Sequence, residues 1–162
     1  MGFERIWSPW RKAYVTSGAK EPGCVLCRAL EHADDPGSLV AHVAPHTFVV
    51  MNLYPYNAGH IMIAPRRHVG SLAEARPEEL GEMAVLARRM ESVIAAVYTP
   101  EGLNVGMNLG KAAGAGVADH IHLHMVPRWV GDTNFMTSLG GTRVIPEDPL
   151  EGCARLKAEL AK

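Results

Sequence analysis

Three histidines alternate with aliphatic residues in the run His120-Ile121-His122-Leu123-His124-Met125-Val126-Pro127-Arg128. A period of two belongs to a β-strand. The spacing therefore predicts a strand over residues 120–126, with all three imidazoles on one face and Ile121, Leu123 and Val126 on a buried opposite side. Same-face neighbours then stand about 7 Å apart along the backbone, two steps of strand rise. Neutral imidazoles arrayed in this way can attack phosphorus, pass protons or bind a metal. One histidine in a core is ordinary; three in strict alternation point to chemistry.

Phosphoryl transfer suits the pattern. His122, in the middle, is the natural nucleophile, because an imidazole on either side can orient it or serve the leaving group. The segment Gly110-Lys111-Ala112-Ala113-Gly114-Ala115-Gly116 directly precedes the histidines and offers backbone N–H groups to phosphate oxygens. It matches neither a Lys-Ser/Thr phosphate loop nor a strand–GxGxxG–helix unit, and an inter-strand turn would have the same composition. The rival chemistry is a catalytic metal on three histidines. On one straight strand the outer pair lie about 13 Å apart, too far to converge on a single ion.

The surrounding elements must hold these residues in place. Thr47 to Leu53 is apolar enough for a strand buried on both faces, and His60 to Ala64 reads as the next. Tyr54-Pro55-Tyr56-Asn57-Ala58-Gly59 between them is of hairpin length. Pro77, followed by Glu78 and Glu79, opens a helix whose apolar stripe runs through Leu80, Met83, Ala84, Ala87, Met90, Ile94 and Val97. Leu103 to Asn108 is a further strand. Asp148-Pro149-Leu150-Glu151 starts a terminal helix with Leu156 and Leu160 inward and Cys153 a small buried hydrophobe. Hairpin-length connections favour an α+β fold with a largely antiparallel sheet, one long helix and one C-terminal helix.

At 162 residues, the chain suits a single domain over 1–162. An aromatic N-terminal arm (about 1–23) carries Trp7, Trp10 and Tyr14, and a C-terminal extension covers about 130–162. Sixteen Lys and Arg against 17 Asp and Glu argue against a nucleic-acid polymer as partner, but not against a small anionic ligand. No apolar run reaches membrane-span length and Met1-Gly2-Phe3-Glu4-Arg5 does not begin a signal peptide, so a cytoplasmic location without a membrane partner is expected. Three cysteines, two of them in Cys24-Val25-Leu26-Cys27 at the start of a short helix, fit a reducing compartment and a metal site better than a disulfide framework.

His120-Ile121-His122-Leu123-His124-Met125-Val126 resembles the signature of the histidine-triad (HIT) superfamily of nucleotide hydrolases and transferases. Asn52-Leu53-Tyr54-Pro55-Tyr56-Asn57-Ala58-Gly59-His60 and Ile63-Ala64-Pro65-Arg66-Arg67-His68 are similar to further family segments, over about residues 5–145. The resemblance implies that His122 takes up a nucleoside monophosphate and His124 bonds the α-phosphate or leaving group. His120 and His60 would orient the imidazoles. Asn52, Asn108 and the loop with Gly114, Gly116 and Val117 would hold ribose and phosphates. It also implies a homodimer whose sheets join, and no organic cofactor.

Arg5-Ile6-Trp7-Ser8-Pro9-Trp10 and Pro127-Arg128-Trp129-Val130-Gly131-Asp132-Thr133-Asn134-Phe135 resemble bacterial members linked to diadenosine polyphosphates. The Hint-like phosphoramidases and Fhit-like hydrolases carry Ser or Thr where this chain has Val117, and phosphorylase-like members often have Gln where it has Leu123. By the pattern of related zinc-binding members, Cys24, Cys27, His68 and His120 would hold a structural Zn2+, with His46 as the alternative to His68.

The leading expectation is a nucleotidyl transferase or hydrolase acting on dinucleoside polyphosphates, with phosphate or water as acceptor. The alternatives are a hydrolase of other nucleotide conjugates such as phosphoramidates, a nucleotide-binding module with little turnover, and a redox or metal enzyme centred on Cys24 and Cys27.

Overall fold

A computed structural model describes residues 23–132 and 147–162. The aromatic arm and the Thr133–Pro146 part of the C-terminal extension lie outside these residues. Five strands form one sheet: β1 (Val40–Val43), β2 (Thr47–Met51), β3 (Ile61–Pro65), β4 (Gly102–Met107) and β5 (Leu123–Arg128). Their order is β1-β2-β3-β5-β4 and every pairing is antiparallel. Among the described residues three α-helices accompany it: α1 (Val25–Glu31), α2 (Pro77–Tyr98) and α3 (Pro149–Leu160).

One face of the sheet carries α2 and α3. Val49, Met51, Ile61, Ile63 and Met125 pack there against Met83, Met90 and Ile94 of α2 and Leu156 of α3. On the other face Phe48, Val50 and Ala64 pack with Leu26 of α1, which is why every residue of β2 is buried. Of the five strands, β1, β2 and β3 alone contribute to that second cluster. Among the described residues no helix covers the second face of the half built from β5 and β4, and β4, at the sheet edge, is largely exposed.

The histidine strand begins later than its alternation predicts. β5 starts at Leu123, so His120, Ile121 and His122 precede it, although all three are buried. The ladders with β3 and β4 both end at Leu123, and Ile121 N–H instead donates to Val69 O at 2.8 Å. Val126 is also corrected: it lines the same pocket as His124, two residues away on one face, and Met125 is the residue that enters the core. On α2 the buried stripe includes Leu86, Val93 and Tyr98, whereas Ala84 is exposed. Strand β1 had no counterpart in the sequence reading.

The helix ends follow local chemistry. Asp148 Oδ1 accepts the Leu150 N–H at 2.8 Å with Pro149 in the first turn, as the Asp-Pro start predicts. At the start of α2, Glu79 turns back to accept the Arg76 N–H at 2.7 Å and is held by Arg67 at 2.9 and 3.0 Å. The Arg67 pair draws the Glu79 carboxyl below its ordinary range, and it ties the chain leading into His68 to the long helix.

Candidate active site

Cys24 caps the N-terminus of α1 and Cys27 follows within its first turn; His68 lies just beyond β3 and His120 just before β5. One ligand atom from each of the four falls within 4.8 Å of the others. Cys24 Sγ is 3.3 Å and Cys27 Sγ 3.6 Å from His120 Nδ1, and Cys27 Sγ is 3.5 Å from His68 Nδ1. His120 Nε2 lies 2.9 Å from Pro65 O, and a carbonyl can only accept. Nε2 therefore carries the hydrogen, and the Nδ1 lone pair is turned toward the sulfurs. Two thiols and two imidazoles so disposed are the donor set of a tetrahedral zinc site, with a carbonyl fixing one ligand's tautomer. His46 takes no part in this cluster; its N–H donates to Glu82. Burial, with Cys24 adjoining, pushes the Cys27 thiol up to about 11.

The same logic fixes the other triad rings. His122 Nδ1–H donates to His120 O at 2.8 Å, so its Nε2 bears the free lone pair of a nucleophile. His60 is fully buried, and its Nδ1 accepts the Tyr56 N–H at 3.0 Å. Its Nε2–H therefore donates to His124 Nδ1 at 2.9 Å, which leaves His124 with hydrogen on Nε2. Burial, helped by the neighbouring imidazoles, lowers His60 to about 3; burial and His122 lower His124 to about 4. Both rings are neutral at pH 7. The His122 and His124 rings meet edge to face at 4.7 Å between centroids. One ring thus presents a lone pair and its neighbour an N–H, as attack on a phosphorus beside a developing oxyanion requires.

The turn before His60 is shaped for this task. Asn52 Oδ1 accepts the Tyr54 N–H at 2.9 Å and Asn52 Nδ2 lies 3.3 Å from His60 Nδ1, so both ends of this amide work within the turn. Gly59 adopts φ +72, and a Cβ there would come within 2.8 Å of the Tyr98 ring. Glu147 joins three elements: Oε2 accepts from Gly59 N–H at 3.2 Å and Tyr98 O–H at 2.9 Å, and Oε1 pairs with Arg155 at 2.9 Å.

An open pocket of about 420 Å³ adjoins His124, with Asn108 in its wall. Gly114 and Gly116 lie in the exposed segment that follows a single 3-10 turn at Lys111–Ala113, while Val117 packs against the core cluster around Leu26 and Phe48. Asn52 is absent from the pocket lining. Sequence reasoning missed Tyr56, Asn104 and Arg128 as pocket residues and Glu147 as an anchor. The β5 alternation from His124 through Val126 to Arg128 was the available signal for Arg128.

The model of the HIT domain matches residues 36–130, more than half of the chain. The chain belongs to the HIT family. This HIT protein is 38% identical over 152 residues to a protein named AP-4-A phosphorylase from Mycobacterium tuberculosis, a match covering 89% of this chain and 77% of that one. It is 32% identical over 96 residues to a bis(5'-nucleosyl)-tetraphosphatase (asymmetrical) of Schizosaccharomyces pombe, over 59% of this chain and 52% of that one. Among solved structures, a Zn-bound histidine triad family protein from Mycobacterium smegmatis is 31% identical, with TM-score 0.68 and coverage of 86% and 94%. No helix among the described residues is long and apolar enough to cross a membrane.

Proposed function

We propose that the chain cleaves dinucleoside polyphosphates of the diadenosine tetraphosphate type through a nucleotidyl-His122 intermediate. The observation that carries this reading is the His122 Nδ1–H bond to His120 O, which leaves the Nε2 lone pair free on a ring that meets His124 edge to face at 4.7 Å. The relatives named for phosphorylase and tetraphosphatase activity support the substrate class.

In the first step Nε2 of His122 bonds to the α-phosphorus and the bond from that phosphorus to the bridging oxygen breaks. The bridging oxygen keeps the electron pair and departs with the other nucleotide. The imidazolium so formed keeps its Nδ1–H on the His120 carbonyl, which stabilises the positive charge. His124 Nε2–H donates to the phosphate oxygens, its tautomer held by His60. In the second step an oxygen of inorganic phosphate, or water that gives up a proton to solvent, bonds to phosphorus as the P–N bond breaks and His122 recovers its lone pair. Asn108 and the backbone of Gly114, Gly116 and Val117 hold the phosphates in this reading, and Asn52 acts through the turn that carries His60.

Cys24, Cys27, His68 and His120 hold a structural zinc in the same reading. When bound it would fix His120, and through that residue's carbonyl the ring of His122. The exposed edge of β4 is where a second copy would extend the sheet in a homodimer: Val105 there is 52% exposed.

Product analysis with diadenosine tetraphosphate, with and without inorganic phosphate, tests the reaction. ADP plus ATP only when phosphate is present marks a phosphorylase, and AMP plus ATP in both tubes a hydrolase. Absence of cleavage in either tube contradicts the proposal.

A further inference from the structure

Among the described residues, no helix covers the face of the sheet that carries the pocket beside His124. Gly106 of β4 pairs with His124, Asn104 with Val126, and Gly102 with Arg128, so these side chains share one surface. Arg128 is fixed there: Nε and Nη2 each donate to an oxygen of Asp132 at 2.6 Å, and Nη1 donates to Asn104 Oδ1 at 2.7 Å. The Tyr56 ring forms a wall, nearly parallel to His124 (28°) at 5.7 Å. Opposite His124 the chain has glycine, and a Cβ at Gly106 would meet no atom within 4 Å. His122 does not line this space.

A pocket of about 420 Å³ is of small-molecule size. Its contents are an aromatic face, an immobilised guanidinium and two carboxamides, which suit a base together with phosphates. We infer that this pocket binds the departing nucleotide, the half of a dinucleoside polyphosphate that does not become attached to His122, and so selects substrates that carry a second nucleotide. The inference rests on the nucleotidyl-transfer reading above. Tyr56 and Val126 supply faces for the base, the carboxamide N–H groups of Asn104 and Asn108 supply donors for the phosphates, and Arg128 holds Asn104 in place through its Oδ1. A substrate whose leaving group is a single small atom would not reach the pocket.

Two variants test this: Gly106→Val, which fills open space with a residue suited to a strand, and Asn104→Leu, which removes the carboxamide at similar volume. The quantity to read is kcat/KM for diadenosine tetraphosphate divided by kcat/KM for adenosine 5'-phosphorofluoridate, from which His122 displaces only fluoride. The ratio is expected to fall at least tenfold in both variants. A ratio within twofold of wild type, whether neither rate changes or both fall together, overturns the subsite and leaves the His122 mechanism standing. A wild-type protein that cleaves neither compound contradicts the mechanism instead. In that event the same thresholds apply to the calorimetric Kd of diadenosine tetraphosphate relative to that of AMP.

Discussion

His60 Nε2 donates to His124 Nδ1 at 2.9 Å, and this bond, set by the Tyr56 N–H on the far nitrogen of His60, decides which nitrogen of His124 carries a hydrogen. Removing His60 frees His124 to adopt either tautomer. His60→Ala is expected to lower kcat about tenfold to a hundredfold, toward the low end for a proton-handling group, with KM changed less than threefold. Steady-state kinetics on diadenosine tetraphosphate check it; an unchanged kcat would remove the relay from the account.

Acid should destabilise the protein well before its carboxylates titrate. His60 is lowered from 6.5 to about 3 by burial, so between these values the unfolded chain binds a proton that the folded ring refuses. Its contribution is fully present above pH 6.5 and is lost as pH falls toward 3. Urea midpoints converted to free energy should show a His60 share of up to about 1.4 kcal/mol per pH unit in that window, with His124 adding a similar share down to about pH 4, and His60→Gln should reduce the slope without abolishing it.

Glu147 and the two glycines around it hold the His60 turn against the terminal helix. A Cβ at Gly152 would lie 2.7 Å from both Met51 Cε and Tyr98 Oη, so Gly152→Ala overpacks this junction. A loss of about 1–3 kcal/mol in unfolding free energy is expected. Gly59→Ala adds backbone strain at φ +72 to its clash with Tyr98 and should cost at least as much. Thermal unfolding of both variants measures the effect.

Zinc should copurify and stabilise. Removing it by chelation is expected to lower Tm by about 5 °C or more, with recovery on adding zinc back, since a ligand bound only by the folded state stabilises that state. Cys24→Ser should reduce the zinc content measured by atomic absorption, while His46→Ala should leave it unchanged.

Much of the sheet and site was legible because period and punctuation are local signals. The Asp148-Pro149 start, the hairpin around Tyr54–Gly59 and the fully buried β2 all agree with the sequence reading. The start of β5 was not legible, since alternation persists through His120 while strand pairing depends on where two other strands end. Ala84 suited the helical stripe, yet α2 turns Leu86 and Val93 to the sheet, a choice made by tertiary packing. Tyr56 and Arg128 come together across a long sequence separation, and only the sheet brings them to one pocket. Tautomers also lie beyond sequence: the His122 assignment depends on a carbonyl 2.8 Å from Nδ1.

The central claim is that Nε2 of His122 becomes covalently attached to a nucleotide. Rapid alkaline quench of wild-type protein with diadenosine tetraphosphate, followed by peptide mass spectrometry, reads this directly. The account predicts one adenylate on the peptide containing His122, located on that residue by fragmentation and absent from His122→Ala. Adenylate on another residue, or product formation in His122→Ala at the wild-type rate, would contradict it.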